Sequence, residues 1–341
     1  MLILGIETSC DETSASVVSL ESSNGKVKVL SNIISSSSLL HAKTGGIIPQ
    51  TAAREQLRYI LPTIKEALET AEINPSNPSI DSIAVTTGPG LIGSLLVGVE
   101  TAKTLSSLWN KPIIPVNHLI GHIYANFIED EDEKPIQFPI LGLIISGGHT
   151  DLILIKNHNQ IEWVGGTRDD AAGEAFDKIG RILGLEYPAG PVIEKMAKLG
   201  NSDRFTFPRP MVGSSDFDFS FSGLKSSVFR QAQKLELSHT DKVDICAGVQ
   251  KAISGVLVRK TLKAAVKYQA KSLLLGGGVA ANDNIFETMD SEIKKLKINI
   301  TLKRPQKTLC TDNAAMIATT AFFKQDKTEA FDIQANPSLY F

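Results

Sequence analysis

At 341 residues, with 42% hydrophobic and 21% charged residues, the chain is too long for one small core and suits two globular lobes. Its 35 Lys+Arg against 37 Asp+Glu give no bulk-charge support for nucleic-acid binding, and no apolar run has the length of a membrane span. No basic region precedes a long apolar one at the N-terminus, so no signal peptide is expected. The scattered Cys10, Cys246 and Cys310 suit a reducing cytoplasm rather than a disulfide framework or a zinc spacing.

A first strand is expected over 2–7, leading into Thr8-Ser9-Cys10-Asp11-Glu12-Thr13-Ser14, with strands over 15–20 and 27–35 behind it. Hydroxyls and turn amides at such a tip can approach a phosphate, and Asp11 and Glu12 can hold a metal or orient a nucleophile. A plain polar turn capped by Asp fits the same residues. Gly45-Gly46-Ile47-Ile48-Pro49 introduces a helix over 50–71, a strand spans 81–86, and Gly88-Pro89-Gly90 turns into a helix over 91–108. That helix has Gly93, Ser94, Gly98 and Ala102 on a face another backbone can approach, and its N-terminus is a candidate anion site.

After a strand over 112–116 comes a helix carrying His118 and His122. Positions i and i+4 are helix neighbours, about 5–6 Å apart at Cβ. Two neutral imidazoles so placed can close on one divalent metal. Leu119 stands where a peptidase helix of the H-E-x-x-H kind carries its general base. One packed and one solvated histidine also fit so loose a pattern.

The polar run 129–135 reads as an exposed connector, and the pattern then begins again. Strands are expected over 140–145, 151–156 and 161–164, with the tight turn Ser146-Gly147-Gly148-His149-Thr150 after the first. Helices follow from 171 and 192 and over 224–234 and 240–268, then a strand over 272–275 into Gly276-Gly277-Gly278, a helix from 280 and a strand over 298–302. Three strands, a helix, a strand and a helix thus occur twice, which implies two similar lobes with glycine turns facing a cleft. Asp170 is expected to cap the helix from 171, and Glu174 with Lys178 forms an i,i+4 pair. The irregular segment 200–223 is either a structural insertion with core aromatics or a binding element, in which Arg209, with Lys225 just beyond it, contacts a phosphate backbone. Lys251, Arg259, Lys260, Lys263 and Lys267 recur at roughly helical spacing, as a solvated helix face or a local basic one.

Together these pieces resemble one family. Gly5-Ile6-Glu7-Thr8-Ser9-Cys10-Asp11-Glu12-Thr13, Gly88-Pro89-Gly90-Leu91, His118 with His122, and Ser146-Gly147-Gly148-His149-Thr150 match it in order. So do Asp169-Asp170-Ala171-Ala172-Gly173-Glu174-Ala175-Phe176-Asp177-Lys178, Phe219-Ser220-Phe221-Ser222-Gly223-Leu224-Lys225, Gly277-Gly278-Val279-Ala280-Ala281-Asn282 and Cys310-Thr311-Asp312-Asn313. From first strand to last helix the chain is similar to the universal tRNA threonylcarbamoyladenosine transferases, long called glycoproteases or O-sialoglycoprotein endopeptidases.

The resemblance implies an α/β, two-lobed actin-like ATPase (ASKHA) fold, with duplicated βββαβα units about a central cleft. The lobes are expected at 1–130 and 137–308, the second with the insertion 200–223, and a helix over 312–325 packing back near the cleft. By position, His118, His122 and Asp312 match the ligands of one divalent metal, Fe²⁺ or Zn²⁺. Ile144, Ile145, Ser146, Gly147, Gly148, Asp177, Gly190 and Asn282 match the substrate positions, for threonylcarbamoyl-AMP or an ATP- or ADP-like nucleotide in the same cleft. The reaction implied moves the threonylcarbamoyl group from threonylcarbamoyl-AMP to N6 of adenosine 37 of tRNAs reading ANN codons, in the cytoplasm. Asp11 or Glu12 is expected to take the proton from the attacking amine.

Partners implied are tRNA and, for the bacterial kind, an inactive paralogue of the same fold with a small P-loop ATPase. A chain of the organellar kind would form a homodimer, and no membrane is involved. The chain departs from the family pattern at Gln50 and Gln56, where a carboxylate and a histidine are usual, and at Thr44, Asn117 and Ala189. Asp312 has a second reading, as a plain helix cap. Other functions stay open beside the transferase: a metallopeptidase, which lacks a base at Leu119; an ATPase or sugar kinase of the same fold, which needs no paired histidines; and a silent scaffold, which would not keep the metal residues.

Overall fold

The computed structural model describes residues 1–20, 27–37, 46–129, 135–233, 237–324 and 332–341. Thr44, Gly45, most of the connector expected over 129–135 and the end of the helix expected over 312–325 lie outside them. The chain divides into two compact units, Met1–Glu133 with Pro305–Phe341, and Lys134–Arg304.

In the first unit, strands β1 (Leu2–Glu7), β2 (Glu12–Leu20) and β3 (Val27–Ser36) are followed by helix α1 (Pro49–Thr70), β4 (Ser82–Gly88) and α2 (Ile92–Trp109). β5 (Ile113–Asn117) leads into the short α3 (His118–Tyr124), and the last helix, α9 (Ala314–Phe323), returns to the same sheet. The strand order is β3-β2-β1-β4-β5, with β1 antiparallel to β2 and parallel to β4. Side chains alternate across a strand, so β1 feeds two cores. Leu4 and Ile6 pack with Ile60, Ile64 and Leu68 of α1, while Ile3 packs with Ala315, Met316 and Ile317 of α9. Each such fully buried Leu or Ile stabilises the fold by about 1.5–3 kcal/mol relative to exposure. This two-sided burial is why β1 reads as a nearly unbroken apolar run.

The second unit repeats the plan. β6 (Ile140–Ile145), β7 (Thr150–Asn157) and β8 (Gln160–Gly166) precede α4 (Ala172–Leu183), α5 (Ala189–Ala197), α6 (Ser222–Ala232) and α7 (His239–Lys267). β9 (Ser272–Gly276), α8 (Asp283–Leu296) and β10 (Thr301–Lys303) complete it. Its sheet order, β10-β9-β6-β7-β8, is the first sheet's read in reverse, with β6 antiparallel to β7 and parallel to β9. The duplication expected from the element pattern is thus present in the pairing of both sheets.

Two local expectations need correction. Asp170 does not cap α4; Ala171 holds that position without a side-chain bond, and Asp170 Oδ1 instead takes Lys178 Nζ at 2.6 Å. The helix expected from 280 starts as a short 3-10 turn, Gly278–Ala281, and the α-helix begins after Asn282, whose side chain accepts from Ile285 N at 3.1 Å. No helix or strand forms between Ala197 and Ser222. That segment is held by buried Phe207, Phe217, Phe219 and Phe221, and by the fully buried Lys260, which donates to Ser214 Oγ at 2.7 Å. Among the described residues no helix is long and apolar enough to cross a membrane.

Candidate metal centre

His118 and His122 lie on α3, whose first turn is held by Asn117. Its side chain accepts from Leu119 N at 2.9 Å and Ile120 N at 3.2 Å. The departure at Asn117 therefore supplies a helix cap, which satisfies amides that have no partner inside the helix. The two imidazoles are buried and meet edge to face, with centroids 4.6 Å apart. Between them, Gly121 lets α3 and α9 close up, because a Cβ there would come within 2.9 Å of Ile317 Cδ1.

The start of α9 is pinned to the first sheet, with Ala314 N donating to Ser14 Oγ at 2.9 Å. The capping role that Asp312 had in one reading falls to its neighbour: Asn313 Oδ1 accepts from Met316 N at 3.1 Å. Asp312 faces the histidines, its Oδ1 3.3 Å from His122 Nε2 and 3.7 Å from His118 Nε2. One ligand atom from each of the three residues lies within 4.8 Å of the others. Two ligands at 2.0–2.1 Å from one tetrahedral ion stand about 3.3 Å apart, so these spacings suit a single cation. Neither ring nitrogen of His122 has a hydrogen bond of good geometry among the described residues, although both are buried. A cation would satisfy the Nε2 that faces Asp312. Imidazole and carboxylate donors suit zinc and iron alike.

Behind His118 stands Glu7, a residue the sequence reading gave no role. Glu7 Oε2 is 3.1 Å from His118 Nδ1, and Glu7 Oε1 accepts from Ser9 N at 2.6 Å. Thr86 Oγ1 donates to Glu7 Oε2, and Ser9 Oγ lies 3.2 Å from His118 Nδ1. A carboxylate on Nδ1 holds the proton there and leaves the Nε2 lone pair toward Asp312, the usual support of a metal-bound histidine. Burial opposes charge on both groups. At His118 the Glu7 and Asp312 carboxylates outweigh burial and raise it to about 9, and at Glu7 the His118 charge outweighs burial and holds the carboxyl below its ordinary value. At His122 burial prevails and lowers the ring's pKa. The available signal was positional: a carboxylate closing the apolar run Leu2-Ile3-Leu4-Gly5-Ile6 has to enter the interior. Leu119 is fully buried, so that position offers no carboxylate for peptidase chemistry.

Asp11 and Glu12 sit where the turn enters β2. Glu12 Oε1 accepts from Ser36 Oγ at 2.8 Å, while its buried Oε2 has no hydrogen-bond partner among the described residues. Burial first, and the nearby Asp11 and Asp312 carboxylates, raise Glu12 to about 7. Asp11 fastens the turn through its backbone, its carbonyl accepting from Ser37 N at 3.4 Å and Ser37 Oγ at 2.6 Å. Gln56 explains another departure. Buried on the inner face of α1, its Nε2 reaches the carbonyls of Cys10 and Glu12 at 3.1 Å and of Thr8 at 3.4 Å, tying down the turn that carries Ser9.

The matched substrate positions belong to the second unit. Ile144 and Ile145 are buried in β6, and Ser146 starts a tight turn in which Ser146 N donates to His149 O at 2.9 Å. Gly147 and Gly148 are exposed at its tip, and a Cβ on either would meet nothing within 4 Å, so their backbone is open to a ligand. Asp177 Oδ1 accepts from Ala189 N at 2.7 Å, and Asp177 also bonds the amide of Gly190 at the start of α5; burial raises its pKa. Asn282 Nδ2 donates to Gln250 Oε1 at 3.0 Å while its oxygen caps α8. Asp177 and Asn282 therefore each have a structural bond beside any ligand role.

A family model described as TsaD, tRNA N6-adenosine threonylcarbamoyltransferase, matches residues 28–319. The tRNA N6-adenosine threonylcarbamoyltransferase of Listeria monocytogenes is 47% identical over 342 residues, covering 99% of this chain and 96% of that protein. The enzyme of the same name from Thermosipho africanus is 46% identical over 341 residues, covering 99% of both. Among solved structures, component A of the Acidaminococcus fermentans (R)-2-hydroxyglutaryl-CoA dehydratase aligns with a TM-score of 0.54 at 16% identity, over 95% of this chain and 98% of that one. HypF of T. kodakarensis aligns with a TM-score of 0.59 at 14% identity, over 95% of this chain and 47% of that one. At such identities the two structures speak for the actin-like ATPase fold alone. The near-complete matches at almost half identity go further: this chain belongs to the tRNA N6-adenosine threonylcarbamoyltransferase family.

Proposed function

We propose that the protein transfers the threonylcarbamoyl group of threonylcarbamoyl-adenylate to N6 of adenosine 37 in tRNAs reading ANN codons. The observation that carries this reading is the cluster of buried His118 and His122 with half-buried Asp312, with Glu7 behind it, in a chain 47% identical to a transferase of that name. His118 and His122 through Nε2, and Asp312 through a carboxylate oxygen, would hold one iron or zinc ion. Such an ion supplies Lewis-acid stabilisation of charge on the adenylate. The chain's residues account for the rest. The open amides of Gly147 and Gly148 suit a phosphate. Glu12, with a buried oxygen that has no hydrogen bond among the described residues and a pKa raised to about 7, suits a base better than Asp11. As N6 bonds to the carbamoyl carbon, the bond from that carbon to the phosphate oxygen breaks, AMP leaves with the electron pair, and Glu12 accepts the amine proton.

The partner set proposed is tRNA, a paralogue of the same fold and a small ATPase, in the cytoplasm. Exposed Leu57 and Leu61 on α1, and Ile92 and Leu96 on α2, form apolar i,i+4 pairs that suit packing by helices of such a paralogue. The test is reconstitution: the protein, threonylcarbamoyl-adenylate, unmodified tRNA and the bacterial partner proteins, with mass spectrometry of the nucleosides. Formation of the threonylcarbamoylated adenosine is expected. Its absence where the Listeria enzyme works would overturn the reading.

A further inference from the structure

Within the second unit, a groove of about 970 Å³ runs between α5, α7 and α8. Its apolar lining includes Val258, Leu262, Val266, Leu296 and Ile298. Its charged lining is one-sided, with Lys198, Arg209, Lys251, Arg259 and Lys263 against Glu194 and Glu292. An excess of three positive charges thus collects in one groove of a chain whose net charge is −2.

Helical geometry accounts for the cationic row. Lys251, Arg259 and Lys263 share one i,i+4 line of α7, each step rising about 6 Å, and the missing member of the line is Gly255. Arg209, from the irregular segment before α6, fills that gap. Its guanidinium lies so close on the helix that a Cβ at position 255 would come within 3.0 Å of Arg209 Cζ. Glycine there lets the arginine lie on the helix surface. Lys251 pairs with the exposed Asp203 at 2.5 Å, and Lys263 donates to Ser214 O at 2.9 Å. Arg209 and Arg259 have no ion-pair or side-chain hydrogen-bond partner among the described residues.

Unneutralised guanidinium groups along an apolar wall are complementary to a phosphate backbone whose bases lie on the wall. We infer that this groove holds a phosphodiester segment of the tRNA. The inference rests on the transferase reading, which supplies the polyanion. An acidic protein helix would meet the same cations, but no acidic partner is otherwise called for, whereas the substrate is a polyanion.

The test is binding of unmodified tRNA to the full chain across a salt series, with Arg209→Ala/Arg259→Ala compared with wild type. A control, Lys156→Ala/Lys294→Ala, removes equal charge outside the groove. The groove variant is expected to weaken tRNA binding by about tenfold or more, and to reduce the slope of log affinity against log salt by about 1.4–1.8. The control should keep both, and the affinity for threonylcarbamoyl-adenylate should not change in either. Gly255→Ala, which keeps every charge but lifts Arg209 from the helix, should weaken tRNA binding by a smaller factor. Equal affinities and slopes for groove variant, control and wild type would overturn the inference. So would a loss confined to adenylate affinity, which would place the small substrate in the groove. Wild-type protein that binds tRNA and modifies it, beside a groove variant of unchanged affinity, removes the groove alone. Wild-type protein that does not bind tRNA and, with the partner proteins present, does not modify it removes the transferase reading as well.

Discussion

Asp312 Oδ1 lies 3.3 Å from His122 Nε2, while capping of the helix that follows is done by Asn313. The two tasks a carboxylate could perform at this point of the chain are therefore separated between adjacent residues. Asp312 is left to the histidines.

Asp312→Asn should consequently fold with an almost unchanged melting temperature when both proteins are metal-free, because no cap is lost. A neutral amide is a poor ligand for a site whose other donors are uncharged imidazoles. Metal affinity, measured by competition with a chromogenic chelator, should fall by more than about 100-fold, beyond the 10–100-fold typical of outer-shell losses. Full occupancy in the variant would show that a different residue completes the site.

Glu7→Gln tests the support of His118 rather than the ligands themselves. The amide cannot hold the Nδ1 proton as a carboxylate does, so metal affinity should drop by about 10–100-fold while the three ligands stay in place. Unchanged affinity, by the same competition assay, would reduce Glu7 to a packing role.

Glu12 sets an expected pH dependence. Its folded pKa, raised to about 7, lies above the ordinary 4.5, so the protonated form is favoured by folding. The associated stability is fully present below about pH 4.5 and is lost as the pH rises through about 7. As a base the group works in the opposite sense, and turnover should rise as the carboxyl ionises. That acid limb should lie at or below about pH 7, since a cation at Asp312 offsets one of the charges that raise it. Glu12→Gln should abolish the limb and slow transfer by about 10²–10⁴-fold. If Asp11→Asn is the crippled variant and Glu12→Gln turns over normally, the base is misassigned.

Gln56 is expected to matter for stability and for the turn that it ties down. Gln56→Leu leaves buried carbonyls of that turn without their donor, at a cost of about 1–3 kcal/mol in denaturant unfolding. Gln56→His, the residue usual in the family, keeps a ring N–H and should recover part of the loss. Equal stability of the leucine variant and wild type would mean that the turn holds itself.

Much of this site was legible because it is local. The four-residue spacing of His118 and His122 follows from helix geometry, and the repeated strand pattern announced two like sheets before any pairing was known. Boundaries were less legible. Asp170 looked like a cap, yet Lys178, eight residues on, competes for its carboxylate at 2.6 Å, a contact visible only once α4 has formed. Gln56 looked like a loss against the family pattern until its amide was seen to bond three carbonyls of a distant turn.

What the sequence determined by itself was the family, the paired imidazoles and the apolar strands that must be buried on both faces. The tertiary structure alone decided that Glu7 backs His118 and that Arg209 closes the gap at Gly255, and it gave a geometry to the meeting of Asp312 with the histidines that the resemblance implied. The physical reason is separation along the chain. Helix and strand periodicity carries information over a few residues, whereas contacts between positions 7 and 118, or 122 and 312, depend on how whole elements pack. That packing turns on close approaches such as α9 against Gly121, whose consequences no local pattern in the chain expresses.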